Sequence, residues 1–212
     1  MSELSLAEQI AEALLRIEAV VLRPNQPFTW TSGIKSPIYC DNRLTISYPD
    51  IRDLIAEGFV QLIQEQFADA EVVAGAATGG IPHAAFVAQK LGLPMIYVRD
   101  KAKGHGKENK IEGLLKPGQK TVVIEDLIST GGSSIKVAEA VREAGGDALG
   151  VAAIFTYQLD RAAEGFAAAG VPLATLSNYS ALLDVAVRTG AIREDQLELL
   201  RSWRSNPEQY EG

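Results

Sequence analysis

Apolar positions in the first part of the chain recur at Leu6, Ile10, Leu14, Ile17 and Val21, the stripe of one helical face. A proline bars continuation, so this helix is predicted to end near Arg23-Pro24. Residues 24–42 are rich in proline, glycine, serine, threonine and aromatics, a composition for short strands and turns. A second helical stripe runs through Ile51, Leu54, Ile55, Gly58, Leu62 and Ile63. From residue 72 the pattern changes to short apolar runs at Val72–Ala74, Met95–Val98, Thr121–Ile124, Val151–Phe155 and Leu173–Leu176. Such runs suit strands buried on both faces, as in parallel sheets. Helices are predicted between them at 81–91, 132–144 and 160–169, and a closing helix at Glu194–Trp203 precedes a polar tail, Ser205–Gly212. Strand and helix in alternation predict an α/β fold, a mostly parallel sheet flanked by helices. No linker or repeat interrupts it, so the 212 residues read as one domain: N-terminal helices and a cap region over 1–70, the core sheet over 71–180, and C-terminal helices and tail over 181–212.

Composition narrows the class. Hydrophobic residues at 47% with 22% charged exclude a disordered chain, which could not bury enough apolar surface to offset its ordering entropy. A net charge of −7 argues against a nucleic-acid partner, which calls for a basic face. One cysteine excludes a disulfide framework and a cysteine-based zinc cluster. Met-Ser-Glu-Leu-Ser-Leu carries neither the basic nor the apolar region of a signal peptide. No apolar run approaches the roughly 18 residues of a membrane span. A cytoplasmic protein without membrane contact is the expectation.

The most informative text is Thr121-Val-Val-Ile-Glu125-Asp126-Leu127-Ile128-Ser129-Thr130-Gly131-Gly132-Ser133-Ser134. A buried strand ends in two carboxylates, then a hydroxyl- and glycine-rich turn opens a helix. Ligands of open α/β sheets bind beyond the carboxyl ends of strands. Glycines admit an anion close to the backbone, and the free amides of a helix N-terminus point at it. Ser129, Thr130 and Ser133 add hydroxyl donors. This half reads as a cradle for a phosphate monoester. Carboxylates beside a phosphate would repel it, so Glu125 and Asp126 need another purpose: vicinal hydroxyls, as on a ribose, or help in placing a divalent cation. The plain alternative is a capped helix after a strand, with both acids solvated.

The acidic pair with Ser129-Thr-Gly-Gly-Ser133 resembles the ribose-5-phosphate signature of the type I phosphoribosyltransferases, which use phosphoribosyl pyrophosphate (PRPP). Three further segments resemble the orotate-using members. Phe28-Thr-Trp-Thr-Ser-Gly-Ile-Lys35-Ser-Pro-Ile-Tyr39-Cys40-Asp41 is similar to their N-terminal substrate segment. Arg99-Asp-Lys101-Ala-Lys103-Gly-His105-Gly-Lys107-Glu-Asn-Lys110 resembles their mobile catalytic loop; its five basic and two acidic residues give +3 inside an acidic chain. Thr156-Tyr-Gln-Leu-Asp-Arg161 follows a strand where those enzymes hold the orotate carboxylate, and Gly75–Pro82 resembles a loop near the pyrophosphate. The resemblance runs from about Thr29 to Asp184 and departs at two places. Some members carry lysine where this chain has Gly79, and lysine after the loop's first arginine where it has Asp100, with Lys101 next in line.

The resemblance implies a type I phosphoribosyltransferase fold with an N-terminal hood, and transfer of ribose 5-phosphate from PRPP to N1 of orotate in pyrimidine biosynthesis. It implies Lys103, His105, Glu125 and Asp126 as catalytic residues, and Arg99, Lys103, His105, Glu125, Asp126, Leu127, Ile128, Ser129, Thr130, Gly131, Gly132 and Ser133 as PRPP contacts. Orotate contacts would come from Ser129, Arg161, Lys35, Tyr39 and Cys40. It further implies Mg2+ held mainly by substrate oxygens, and a homodimer sharing loop 99–113 between subunits. His83, after Pro82 at a helix start, reads as structural. Two other readings stay open: a phosphoribosyltransferase for a purine or another base, and a nucleotide-sensing regulator on the same fold.

Overall fold

The computed structural model describes residues 4–29, 33, 35–99 and 110–210. Helix α1 (Leu6–Arg16) is opened by a reciprocal cap, in which the Ser5 N–H donates to Glu8 Oε2 at 2.9 Å and the Glu8 N–H to Ser5 Oγ at 3.3 Å. Four short strands follow, β1 (Val20–Leu22), β2 (Phe28–Thr29), β3 (Lys35–Ser36) and β4 (Ile38–Cys40). Here the first predicted helix needs correction. It stops at Arg16, Glu18 turns through a left-handed φ of 56°, and Val20–Leu22 pair antiparallel with Ile38–Cys40. The β-branched pair Val20-Val21 suits a strand better than a helix end.

A short 3-10 helix over Asn42–Ser47 leads into α2 (Pro49–Gln66), whose proline sits in the first turn where its missing N–H costs nothing. The alternating part then runs β5 (Val72–Ala76), α3 (Gly80–Leu91), β6 (Met95–Val98), β7 (Ile111–Glu112), β8 (Lys120–Ile128), α4 (Gly132–Glu143), β9 (Asp147–Thr156), α5 (Asp160–Ala168), β10 (Leu173–Asn178) and α6 (Tyr179–Arg188), closed by α7 (Leu197–Ser205). Every predicted strand and helix of this region is present, with β8 and β9 extending past the predicted ends. The pattern gives no bounds for α6, because β10 passes straight into it at the capping residue Asn178.

Six strands form one sheet in the order β10-β9-β8-β5-β6-β7, parallel except at β7. One face is covered by α1, α2, α3 and α6, whose Leu14, Phe59, Val87 and Leu182 join Val122 and Ile154 in a single cluster. The other is covered by α4 and α5 through Val137, Val141 and Phe166. Thus α1 and α2, the N-terminal helices of the 1–70 stretch, form part of a helical layer of the sheet itself. Chain order runs outward in both directions from the boundary between β5 and β8, which makes their carboxyl ends the switch point where a crevice must open.

The described part of the segment read as a polar tail is anchored to the rest of the fold. Trp203 is fully buried, with ring centroids 5.9 Å from Tyr157 and 5.3 Å from Tyr179. The buried Tyr210 hydroxyl donates to the Pro24 carbonyl at 2.6 Å. Tyr210→Phe removes only that bond, so it should lower stability by about 1 kcal/mol and the melting temperature by roughly 2–4 °C in a thermal unfolding scan. An unchanged melting temperature would show the tail to be unanchored.

Candidate active site

Strand β8 pairs with β5 only as far as Ile124 opposite Gly75, while its pairing with β9 continues to Ile128. At Asp126 the β5 side of β8 is therefore open, and side chains take over the backbone. The Asp126 N–H donates to Glu125 Oε1 at 3.1 Å, and the Asp126 carbonyl accepts from Asn42 Nδ2 at 2.6 Å. Glu125 Oε2 in turn accepts from the Ser134 hydroxyl on α4 at 2.9 Å. Burial first, then the Asp126 carboxyl beside it, push the Glu125 carboxyl up to about 8. Glu125 is thus a buried acid tied to the frame, and Asp126 the half-buried one.

A cleft of about 380 Å³ opens at this point, lined by Cys40, Asp41, Arg43, Thr78, Asp126 and Ser133 among others. Its floor is the turn from β5 to α3. Gly79 has an ordinary helical φ of −67°, but a Cβ there would overlap the Asp126 carboxylate, so the glycine exists for close approach. The lysine that some family members place here has no room while Asp126 lies over the turn. The opposite wall is the start of α4. Gly131 caps it with a left-handed φ of 80°, and a Cβ would press on the Phe166 ring at 2.7 Å. Beyond it the Cα of Gly132 faces open space, and the first amides of α4 have no intrahelical partner. A strand end, a left-handed glycine and a helix N-terminus together make an anion cradle.

A second cleft of about 250 Å³ shares Ser133 with the first and is lined by Arg99, Lys110 and Lys136. Arg99 and Lys110 stand where Ile111–Glu112 pair with Tyr97–Val98: the Arg99 N–H donates to the Lys110 carbonyl at 2.9 Å, and Arg99 Nε meets Glu112 Oε1 at 3.3 Å. Within the segment read as one loop over 99–113, Ile111–Glu112 are strand β7 of the sheet. Lys101, Lys103, His105 and Lys107 lie outside the described residues, as do Trp30, Thr31, Ser32 and Ile34.

The structure brings Cys40, Glu125, Asp126, Leu127 and Ser133 into one cleft, with half-buried Ser129 and exposed Thr130 on the turn between Leu127 and Ser133. Ile128 is different: its side chain is fully buried in the core and its carbonyl accepts from the Tyr157 N–H at 3.1 Å, so its contact with a ligand is confined to the N–H side. Tyr39 is 45% exposed with its ring 5.6 Å from Phe28, Lys35 is exposed on β3, and Arg161 is exposed in the first turn of α5; none of the three lines the cleft in this conformation. Asp41, Asn42 and Arg43 are site residues that the sequence pattern alone does not single out. Arg43 Nε holds Asp41 Oδ1 at 2.6 Å, which keeps the Asp41 carboxyl below its usual range. Their signal is a polar triplet directly after the apolar strand β4.

Behind this wall the polar chain continues. The Thr45 hydroxyl donates to the Asn42 carbonyl at 2.6 Å, so at 3.3 Å it can only accept from His83 Nε2. His83 Nδ1 then carries a bare lone pair without a partner among the described residues, and burial pushes the ring down to about 4. His83 is buried. The Cys40 thiol, pushed up by burial and then by the Asp126 and Asp41 charges, donates to Asn42 Oδ1 at 3.2 Å.

Comparison with known proteins agrees with this geometry. Residues 46–171 match the family model described as a phosphoribosyl transferase domain. The chain is 61% identical over 200 residues to the orotate phosphoribosyltransferase of Halalkalibacterium halodurans, covering 94% of this chain and 95% of that one. It is 60% identical over 201 residues to that of Staphylococcus saprophyticus, covering 95% and 99%. Among solved structures, orotate phosphoribosyltransferase from Aeropyrum pernix superposes with a TM-score of 0.75 at 28% identity, over 86% of this chain and 99% of that one. The Mycobacterium tuberculosis enzyme in complex with PRPP gives 0.65 at 26% identity, over 84% and 98%.

The Glu125 carboxyl sets a pH signature. Its native form keeps a proton that the unfolded chain releases near 4.5, so between about 4.5 and 8 the unfolded state binds fewer protons and stability falls as pH rises. Glu125→Gln cannot ionise and should gain stability relative to the parent across that window, measured by denaturant titration at pH 5 and pH 8.5. An equal difference at both would place the Glu125 carboxyl at its ordinary value.

Proposed function

The chain belongs to the orotate phosphoribosyltransferases of the phosphoribosyltransferase family, and on that premise we propose how its cleft transfers the ribose 5-phosphate of PRPP to N1 of orotate, giving orotidine 5′-monophosphate and pyrophosphate for pyrimidine biosynthesis. The observation that carries the assignment is the place of Asp126: a half-buried carboxylate at the switch point, between the β5–α3 turn and the open N-terminus of α4.

In this reading the amides and hydroxyls from Ser129 to Ser133 hold the 5′-phosphate, with Leu127 and the main chain of Ile128 beside them. Asp126 faces the ribose hydroxyls, with Glu125 behind it. As the C1′–O bond to pyrophosphate breaks and the N1–C1′ bond forms, the ribose gains oxocarbenium character, which a nearby anion stabilises. The leaving pyrophosphate gathers negative charge that Arg99, Lys103 and His105 offset. Orotate enters as its N1 anion, so no strong base is required, and His105 serves as a donor. Lys35, Tyr39, Cys40, Ser129 and Arg161 enclose the base; because Lys35, Tyr39 and Arg161 stand off the cleft here, this part of the site closes around the substrate.

Among the described residues no group of three histidine, cysteine or acidic side chains could hold a metal. Magnesium relies on substrate phosphates and retained waters, so it would be carried mainly by substrate oxygens, and Asp126 is the side chain that would help hold it. When bound, Mg2+ would supply positive charge to offset that on the pyrophosphate. A cytoplasmic homodimer in which the 99–113 segment of one subunit reaches the other's cleft completes the proposal. No described helix is long and apolar enough to cross a membrane.

Orotate, PRPP and Mg2+ should give loss of orotate absorbance, and adenine, guanine or uracil should not replace orotate; turnover of a purine alone would transfer the assignment to another base. Asp126→Ala should lower turnover on the order of 100-fold or more, as loss of a preorganised charge does, with little change in melting temperature; an unchanged rate would remove Asp126 from the site. Gly79→Ala should fold normally, since its backbone is helical and the obstacle is a movable side chain, yet lose activity by displacing Asp126. Full activity in that variant would mean Asp126 works in a different rotamer.

A further inference from the structure

We infer that Asn42 is a positioning residue for Asp126, acting as a surrogate strand partner at the point where β5 leaves β8. Resting on the reading above, in which Asp126 faces the ribose, the inference adds how that carboxylate is aimed.

In a parallel sheet each residue turns its N–H and carbonyl to one neighbouring strand, and successive residues alternate. The Lys120 carbonyl accepts from the Glu71 N–H at 2.8 Å on the β5 side and the Gln119 carbonyl from the Asp147 N–H at 2.9 Å on the β9 side, so by alternation Asp126 turns toward β5. There β5 has already ended at Ala76 and bent into the β5–α3 turn. A buried main-chain carbonyl left without a donor would be costly. Asn42 supplies the donor from 84 residues away, at 2.6 Å. It is itself fully buried, so water cannot take its place at that oxygen.

The amide is also locked in one orientation. The Cys40 thiol can only donate to Oδ1, at 3.2 Å, which turns Nδ2 toward Asp126. The Asn42 carbonyl accepts from Thr45 at 2.6 Å, fixing the main chain that carries the side chain. With Glu125 Oε1 on its N–H and Asn42 Nδ2 on its carbonyl, the Asp126 peptide is gripped from both ends, and its Cα–Cβ direction over Gly79 follows.

The test is a double-mutant cycle. Asn42→Asp keeps the size and the acceptor for Cys40 but presents oxygen instead of an N–H to the Asp126 carbonyl. In the parent it should lower kcat by about 10- to 100-fold, the scale of an ångström's misplacement, with much less change in the orotate KM. In an Asp126→Asn background, where the aimed charge is already gone, the same change should cost less than about threefold in kcat. Equal losses in both backgrounds, or no loss in the parent, would overturn the inference. If Asn42→Asp does not fold, Asn42→Ala runs the same cycle: a loss confined to the parent background supports the role, and equal losses or none overturn it. A parent enzyme unable to turn over orotate would fail the functional reading instead, so the two failures are distinguishable.

Discussion

Hydrogen-bond satisfaction at the parting of β5 and β8 is the constraint on which the rest of the site depends. A parallel sheet whose connections run outward in both directions must release two neighbouring strand ends, and each released peptide must find partners. Here the partners are side chains from two directions: Asn42 from the segment after β4, and Glu125 from the strand itself, steadied by Ser134 on α4. The groups that satisfy the opened strand end also aim the acid lining the cleft.

Electrostatics reinforce that arrangement. Two adjacent carboxyls on an acidic chain would repel each other if both were ionised, and burial resolves the conflict by keeping Glu125 protonated well above the ordinary range. One buried, framework-bound acid and one half-buried acid lining the cleft result from the same dipeptide. Positive charge is concentrated where the neighbouring cleft meets Ser133, with Arg99 and Lys110 at the neck of the 99–113 segment and Lys136 on α4. Cations and helix amides thereby stand on one side of the paired clefts and the Asp126 carboxylate on the other.

Most of the sheet is legible in the sequence because its strands are buried on both faces and leave apolar runs, as Val72–Ala74 and Val151–Phe155 do. The acid-glycine turn is legible because its chemistry is local: Glu125 to Ser134 are consecutive. What the pattern hides depends on distant partners. Val21 fits a helical stripe until Tyr39 is known to lie opposite it in a ladder. Tyr210 belongs to a polar tail until its hydroxyl meets Pro24. Asn42 has no periodicity at all, and its role exists only because the chain returns to the same place at Asp126. Gly79 could be read as a turn residue, yet its reason is the carboxylate above it.

The most direct measurement is a crystal structure with PRPP, Mg2+ and a non-reactive orotate analogue bound. The 5′-phosphate should rest on the amides from Ser129 to Ser133, the ribose hydroxyls should face Asp126, and Asn42 should still hold the Asp126 carbonyl. A sugar phosphate seated elsewhere, with packed side chains closing the space between Asp126 and Ser133, would contradict it.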